Sequence, residues 1–337
     1  MIDMSIAKTL FRRNLLTLRR VASKPVRADG FTLVELLVVM ATVGILALLV
    51  LPALAGTKPN SQSFQCVENQ RQLVRAWQMY AEDNSDLLPP NDYPWTTSYV
   101  INDYAAGTAG ATWGSQHKNW VVGSMHPLCS LDQADAFFAT QGKSYLLDPN
   151  TVLSPYQTNR AVYHCPADNY VSLQTKRNHV RSYSMNSAVG TVYASATPTV
   201  PIGSPVDGGW LPGSTYNYNQ KTWLTYGKMS SFTRPGPANT FVIMDENPYS
   251  INDTSIAIPA AATPGHTYII DYPAGYHNAG AAISFADGHV LVHKWLDTRT
   301  YTPTISEGSG GHNATGGLQT PDNPDCFYLG SITSARR

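Results

Sequence analysis

Glu35 sits near the start of Phe31 to Leu51, a run otherwise free of charge, and four residues after Phe31, which follows Gly30. A carboxylate in hydrocarbon costs a few kcal/mol, roughly 2.5–3.5 at the bilayer centre and less near its edge, unless a cation meets it. Glu35 therefore calls for a positive partner. Nine residues separate His277 from Asp287-Gly288. It could make a His/Asp pair, but no nucleophile or oxyanion hole lies in its sequence context. Asp245, Glu246, Asp271 and Asp287 fall near the ends of strand-like runs, as oxygen donors of the type hard cations use, without a DxDxDG loop. The four cysteines, Cys66, Cys129, Cys165 and Cys326, have neither CxxC nor Cys/His metal-ligand spacing. In an oxidising compartment they allow up to two disulfides, with free buried thiols as the alternative. No phosphate-binding glycine loop, H-E-x-x-H, G-x-S-x-G or internal repeat occurs, so no motif speaks for an enzyme.

These residues need elements to hold them. Phe31 to Leu51 is 21 residues, about 31 Å as a helix, just enough to span a bilayer core. "GTKPNSQ" interrupts the helix after Pro52. A helical pattern resumes in "SFQCVENQRQLVRAWQMYAED", with Phe64, Val67, Arg71 and Val74 on one stripe and Leu73, Ala76, Trp77 and Tyr80 on another. "NSDLLPPND" ends it. "GAAISFADGHVLVHKW" reads as a β-hairpin with Asp287-Gly288 at the turn, which is a sufficient structural reason for that dipeptide. "NTFVIMDENP" and "HTYIIDYP" are strand-like. Aromatics crowd residues 93–125 and 201–226 among Gly, Ser and Asn. They include Tyr93, Trp95, Tyr99, Tyr104, Trp113, Trp120, Trp210, Tyr216, Tyr218, Trp223 and Tyr226. Such side chains either cap a small β-core or stack on sugars or proteins. The stretch from Ser306 is flexible by composition.

Charge orients the chain. The 337 residues sum to zero, but residues 1–30 hold seven basic side chains against two acidic ones, +5, leaving −5 for the rest. A basic arm abutting an apolar span marks the cytoplasmic side rather than a nucleic-acid contact. The remainder, rich in Gly, Pro, Ser, Thr, Asn, Tyr and Trp, suits an extracytoplasmic β-rich domain. "ALAG" (Ala53 to Gly56) leaves open an ordinary signal cleavage after Ala55.

"GFTLVELLVV" resembles the processing site of type IV prepilins and type II secretion pseudopilins. "CVENQRQL", "YHCPAD" and His277-x9-Asp287-Gly288 resemble a subgroup of large pseudopilin-like proteins. The resemblance implies an α+β pilin-like fold with a long N-terminal transmembrane and stalk helix packed on an antiparallel head sheet. It implies a cleaved leader over 1–30, a transmembrane helix over 31–56, a stalk over 57–90, a head over 91–303 and a tail over 304–337. It further implies cleavage between Gly30 and Phe31, N-methylation of Phe31, and an assembly role for Glu35 against a neighbour's amino terminus. The implied partners are the prepilin peptidase/methylase, other pilin or pseudopilin subunits and the inner membrane, with the head in the periplasm. Calcium in a head loop and a Cys66–Cys165 disulfide come from the same resemblance. The rival expectation is a secreted or tethered carbohydrate-binding or hydrolytic protein.

Overall fold

The computed structural model describes residues 32–55, 61–91, 118–121, 145–147, 151–171, 176–193, 200–217, 219–304 and 317–337. Gly30, Phe31 and Cys129 lie outside them. The chain divides into two units, residues 1–58 and 59–337.

In the first unit, α1 runs Leu33–Ala55. The Thr32-x-x-Glu35 pattern starts it. The Glu35 carboxylate accepts from the Thr32 backbone N–H and hydroxyl, each at 2.8 Å, and the Glu35 N–H donates to Thr32 Oγ1 at 3.3 Å. That reciprocal pattern is a capping box, which satisfies donors a helix start would otherwise leave orphaned. Side chains are described as far as Leu46, and all are exposed, Leu33, Leu37, Met40 and Ile45 among them. Among the described residues no helix is long and apolar enough to cross a membrane.

In the second unit, α2 (Gln62–Asp83) begins at Ser61, whose side chain accepts from the Phe64 N–H. Its buried stripe is Cys66, Gln70, Leu73, Val74, Trp77 and Ala81, a helical period, while Phe64 is exposed. The stripe lies on a five-stranded sheet of order β3-β1-β2-β5-β6. Its strands are β1 (Tyr183–Asn186), β2 (Phe241–Asp245), β3 (Ser255–Ile256), β5 (Gly280–Phe285) and β6 (Val290–Lys294). All neighbours pair antiparallel except β1 with β3. β4 (Tyr268–Ile269) and β7 (Leu318–Gln319) form a separate antiparallel pair.

Alternation along the strands builds two cores. Ala282 and Ala286 join Leu73, Val74, Trp77, Tyr183 and Met185 on the α2 side. Ala281, Ile283 and Phe285 join Leu329 and Ile332 on the other face. Those last two belong to α3 (Pro324–Thr333), capped by the Asn323 side chain on the Asp325 N–H. A flexible tail was expected over 304–337; residues 317–337 are instead a strand and a packed helix. Burial of Cys326, Leu329 and Ile332 outweighs the loop-like composition just before them.

The β5–β6 hairpin closes as expected, with Gly288 at φ +93° and the Gln78 amide of α2 donating to Ala286 O at 3.0 Å. Among the described aromatics, Trp120, Trp210, Trp223 and Tyr226 are buried, and Tyr216 packs edge-on against Trp210. They cap the core, the first of the two readings the sequence allowed. Tyr93, Trp95, Tyr99, Tyr104, Trp113 and Tyr218 lie outside the described residues.

Candidate functional site

Four residues far apart in sequence converge under α2. They are Cys66 on the helix, Cys165 in the "YHCPAD" loop, Asp245 at the end of β2 and His277 before β5. All four are buried, and their Sγ, carboxylate and imidazole atoms lie within 4.8 Å of one another. Three local devices bring them there. Between Phe241 and Ile243 the β2–β5 register shifts, and the strand ends with Asp245 facing α2. Gln62 and Asn69 on α2 donate to Pro166 O and His164 O at 2.9 and 3.0 Å, pinning the loop that carries Cys165. Asn278 and Ala279 both take left-handed backbone, φ +55° and +57°, to turn the chain from His277 into β5. The Lys294 amine braces that turn by donating to the carbonyls of His277 and Asn278.

Asp245 is the hub. Oδ1 accepts from Gln70 Nε2 at 2.9 Å and from Cys66 Sγ at 3.3 Å. Oδ2 accepts from the Ala282 N–H at 2.8 Å and lies 3.1 Å from His277 Nε2. The imidazole's other nitrogen, Nδ1, is 3.1 Å from Ser63 Oγ, and Cys165 Sγ is 3.5 Å from Nε2. Burial would lower the imidazole pKa, but its hydrogen bonds to Asp245 and Cys165 prevail and hold it up at about 9. Burial pushes the Cys66 thiol up. The hydrogen bond from Cys66 draws Cys165 down against its own burial.

Several sequence expectations change here. Cys66 and Cys165 do meet, but as free thiols rather than as the expected disulfide. The two sulfurs share a hydrogen bond rather than a covalent bond, and Cys66 also reaches Asp245 while Cys165 reaches His277. His277 pairs with Asp245, not with Asp287, whose Oδ1 bonds His289 Nδ1 at 2.6 Å across the hairpin turn. The four loop acids do not form one cation site among the described residues. Asp245, Glu246 and Asp271 are buried, and Asp271 Oδ2 accepts from the Ala257 N–H at 2.7 Å. Cys165 and His277 lie within reach of each other, but both are buried. Sequence reasoning missed the set because its hydrogen-bonded members lie 112 and 179 residues apart, so no ligand spacing exists to be read.

Comparison with known proteins concerns another part of the chain's identity. No family model matches the chain, and no solved structure matches it. Three curated proteins do, each in an alignment 103 positions long that covers 27% of this chain. Type II secretion system core protein G of Klebsiella pneumoniae is 31% identical, with 74% of its length covered. The protein of that name in Aeromonas hydrophila is 41% identical over 72% of its length, and that of Pectobacterium carotovorum subsp. carotovorum 40% over 66%. At that identity and coverage, the chain belongs to the type II secretion system core protein G family of pseudopilins.

Proposed function

We propose that this chain is a structural subunit of a type II secretion filament, processed by the prepilin peptidase between Gly30 and Phe31 and methylated on Phe31. The basic leader holds the amino end in the cytoplasm, the apolar helix resides in the inner membrane, and the head lies in the periplasm until assembly. The observation that carries this reading is the similarity to core protein G, together with the "GFTLVELLVV" stretch.

The geometry supplies physical support. The apolar side chains described on α1 are exposed, as a helix that packs against lipid or copies of itself requires. Glu35 caps its own helix in the single chain. In a filament the same carboxylate would neutralise the amino group of a neighbour's Phe31, which removes the cost of leaving either charge alone in an apolar setting. The subunit performs no reaction of its own in this reading; it is the substrate of the peptidase and methylase.

Mass spectrometry of the mature N-terminal peptide from membranes tests the proposal. The expected species begins with N-methylated Phe31. A chain beginning at Gly56 would mean ordinary signal cleavage, loss of α1, and the end of the filament reading.

A further inference from the structure

We infer that Cys66, Cys165, Asp245 and His277 form a structural binding site for a thiophilic divalent cation, zinc being the ion they fit best. The inference concerns the head and stands independently of the secretion reading.

The donor set is the first argument. Two sulfurs, one imidazole and one carboxylate make four donors of the types zinc takes, in the number a tetrahedral site needs. Softness separates this set from calcium, which prefers six to eight oxygens. Geometry is the second argument. With metal–sulfur bonds of about 2.3 Å and metal–nitrogen or –oxygen bonds of about 2.0–2.1 Å, a tetrahedron has ligand–ligand edges of roughly 3.3–3.8 Å. The observed separations are 3.1 Å for His277 Nε2 to Asp245 Oδ2, 3.5 Å for Cys165 Sγ to His277 Nε2, and 3.3 and 3.6 Å for Cys66 Sγ to the two Asp245 oxygens. Three of the six edges thus match within a few tenths of an ångström, and all the ligand atoms lie within 4.8 Å of one another.

The third argument is the surroundings. Metal-bound imidazoles are oriented by a hydrogen bond to the nitrogen that faces away, and bound carboxylates are themselves held by donors. Ser63 Oγ sits on His277 Nδ1, leaving Nε2 aimed into the cluster. Gln70 and the Ala282 N–H hold Asp245, while an ionised carboxylate, with about four acceptor positions, keeps capacity for a metal. A disulfide would use the two sulfurs and account for neither the buried imidazole nor the carboxylate. All four ligands are buried, so no position stays open for substrate, which makes the site structural rather than catalytic. A bound ion would tie α2, the Cys165 loop, β2 and the turn before β5 at one point, displacing the two thiol protons and the proton on His277 Nε2 as it entered.

The test uses the full chain in detergent, purified under reducing conditions without chelator. Elemental analysis should find one zinc per chain. Cobalt(II) added to metal-free protein should give sulfur-to-metal charge-transfer absorption. X-ray absorption of the zinc form should show two sulfurs near 2.3 Å and two lighter atoms near 2.0–2.1 Å. Cys165→Ser should abolish the charge-transfer band. Ser63→Ala, which spares every ligand, should weaken zinc binding about 10–100-fold with an unchanged circular dichroism spectrum. Folded, reduced wild-type protein that takes up neither zinc nor cobalt, or binds them through oxygen and nitrogen alone, overturns the inference. So does protein isolated without reductant whose Cys66 and Cys165 peptides are joined by a disulfide.

Discussion

Glu35 and Asp245 are both carboxylates among apolar neighbours, yet the two regions treat them oppositely. At the start of α1, Glu35 is exposed and, among the described residues, its carboxylate bonds Thr32, three residues before it. Under α2, Asp245 is fully buried and draws on a helix, a strand, a loop and a turn. One region leaves its carboxylate open to a partner outside the chain, and the other completes the polar shell internally. In the proposed reading the first arrangement serves assembly, while the second serves the stability of the fold.

The most disruptive way to break this contrast is Asp245→Ala. It strands the Gln70 amide, the Ala282 N–H, the Cys66 thiol and the His277 ring in a dry interior. Removing one partner from a buried charged network costs about 3–5 kcal/mol. Denaturant titration of reduced, metal-free protein should show a loss of that size; a change below about 1 kcal/mol would mean that water already reaches the cluster. Glu35→Ala should cost only about 1 kcal/mol locally, as a lost cap does, while eliminating incorporation into filaments. Glu35→Gln sharpens the point, because glutamine also serves in a capping box but carries no charge. Cysteine cross-linking between subunits should find both variants equally defective. If Glu35→Gln assembles like wild type, capping rather than charge pairing is the residue's role.

The same contrast governs what the sequence revealed. The α2 pattern was half legible: Leu73, Ala76 and Trp77 are buried as their spacing requires, whereas Phe64 on the other stripe is exposed at the helix start. The hairpin was legible because alternation and Asp287-Gly288 act locally. The Thr32–Glu35 box is equally local, a threonine and a glutamate at capping-box spacing. α3 carried its own start signal in Asn323, Pro324 and Asp325, but the glycine- and serine-rich stretch before it dominated the composition. β1 went unnoticed since "YSMN" lacks a clean alternation; it is buried on both faces in the middle of the sheet. The buried cluster is the extreme case. Each member lay within a phrase that stood out separately, and only tertiary structure unites them.

Gly288→Ala probes the hairpin that lies next to His277. The residue sits at φ +93°, and an added Cβ would come within 3.2 Å of the Gln78 amide that ties the turn to α2. Alanine at such a backbone angle should cost about 1 kcal/mol or slightly more, lowering the melting temperature by roughly 2–4 °C. Because Gln78 lies outside the four-residue cluster, zinc affinity should be unchanged. A large fall in affinity would mean that the turn and the cluster move together.

Glu246 gives the smallest and most discriminating comparison, being adjacent to Asp245 yet supplied differently. It is fully buried, with Oε1 accepting from Ser250 Oγ at 3.0 Å. Burial, followed by the charge of Asp271, pushes its pKa well above the ordinary carboxylate range, and Asp253 adds to the rise. The hydrogen bond from Ser184 and the charge of Arg181 oppose them without prevailing. The sign follows from proton linkage. A carboxyl whose folded pKa is raised contributes stability fully below its unfolded pKa and loses that contribution as pH climbs through the folded value. The wild-type head should therefore weaken between mildly acidic and alkaline pH by an amount that Glu246→Gln removes, since the amide copies the shape of the neutral acid. At neutral pH the variant should equal or exceed wild type by up to about 1 kcal/mol, the reverse of the loss expected at Asp245. Parallel denaturant titrations across that pH range decide it. A Glu246→Gln variant that is less stable than wild type at every pH would mean that the charged form is the one the fold accommodates.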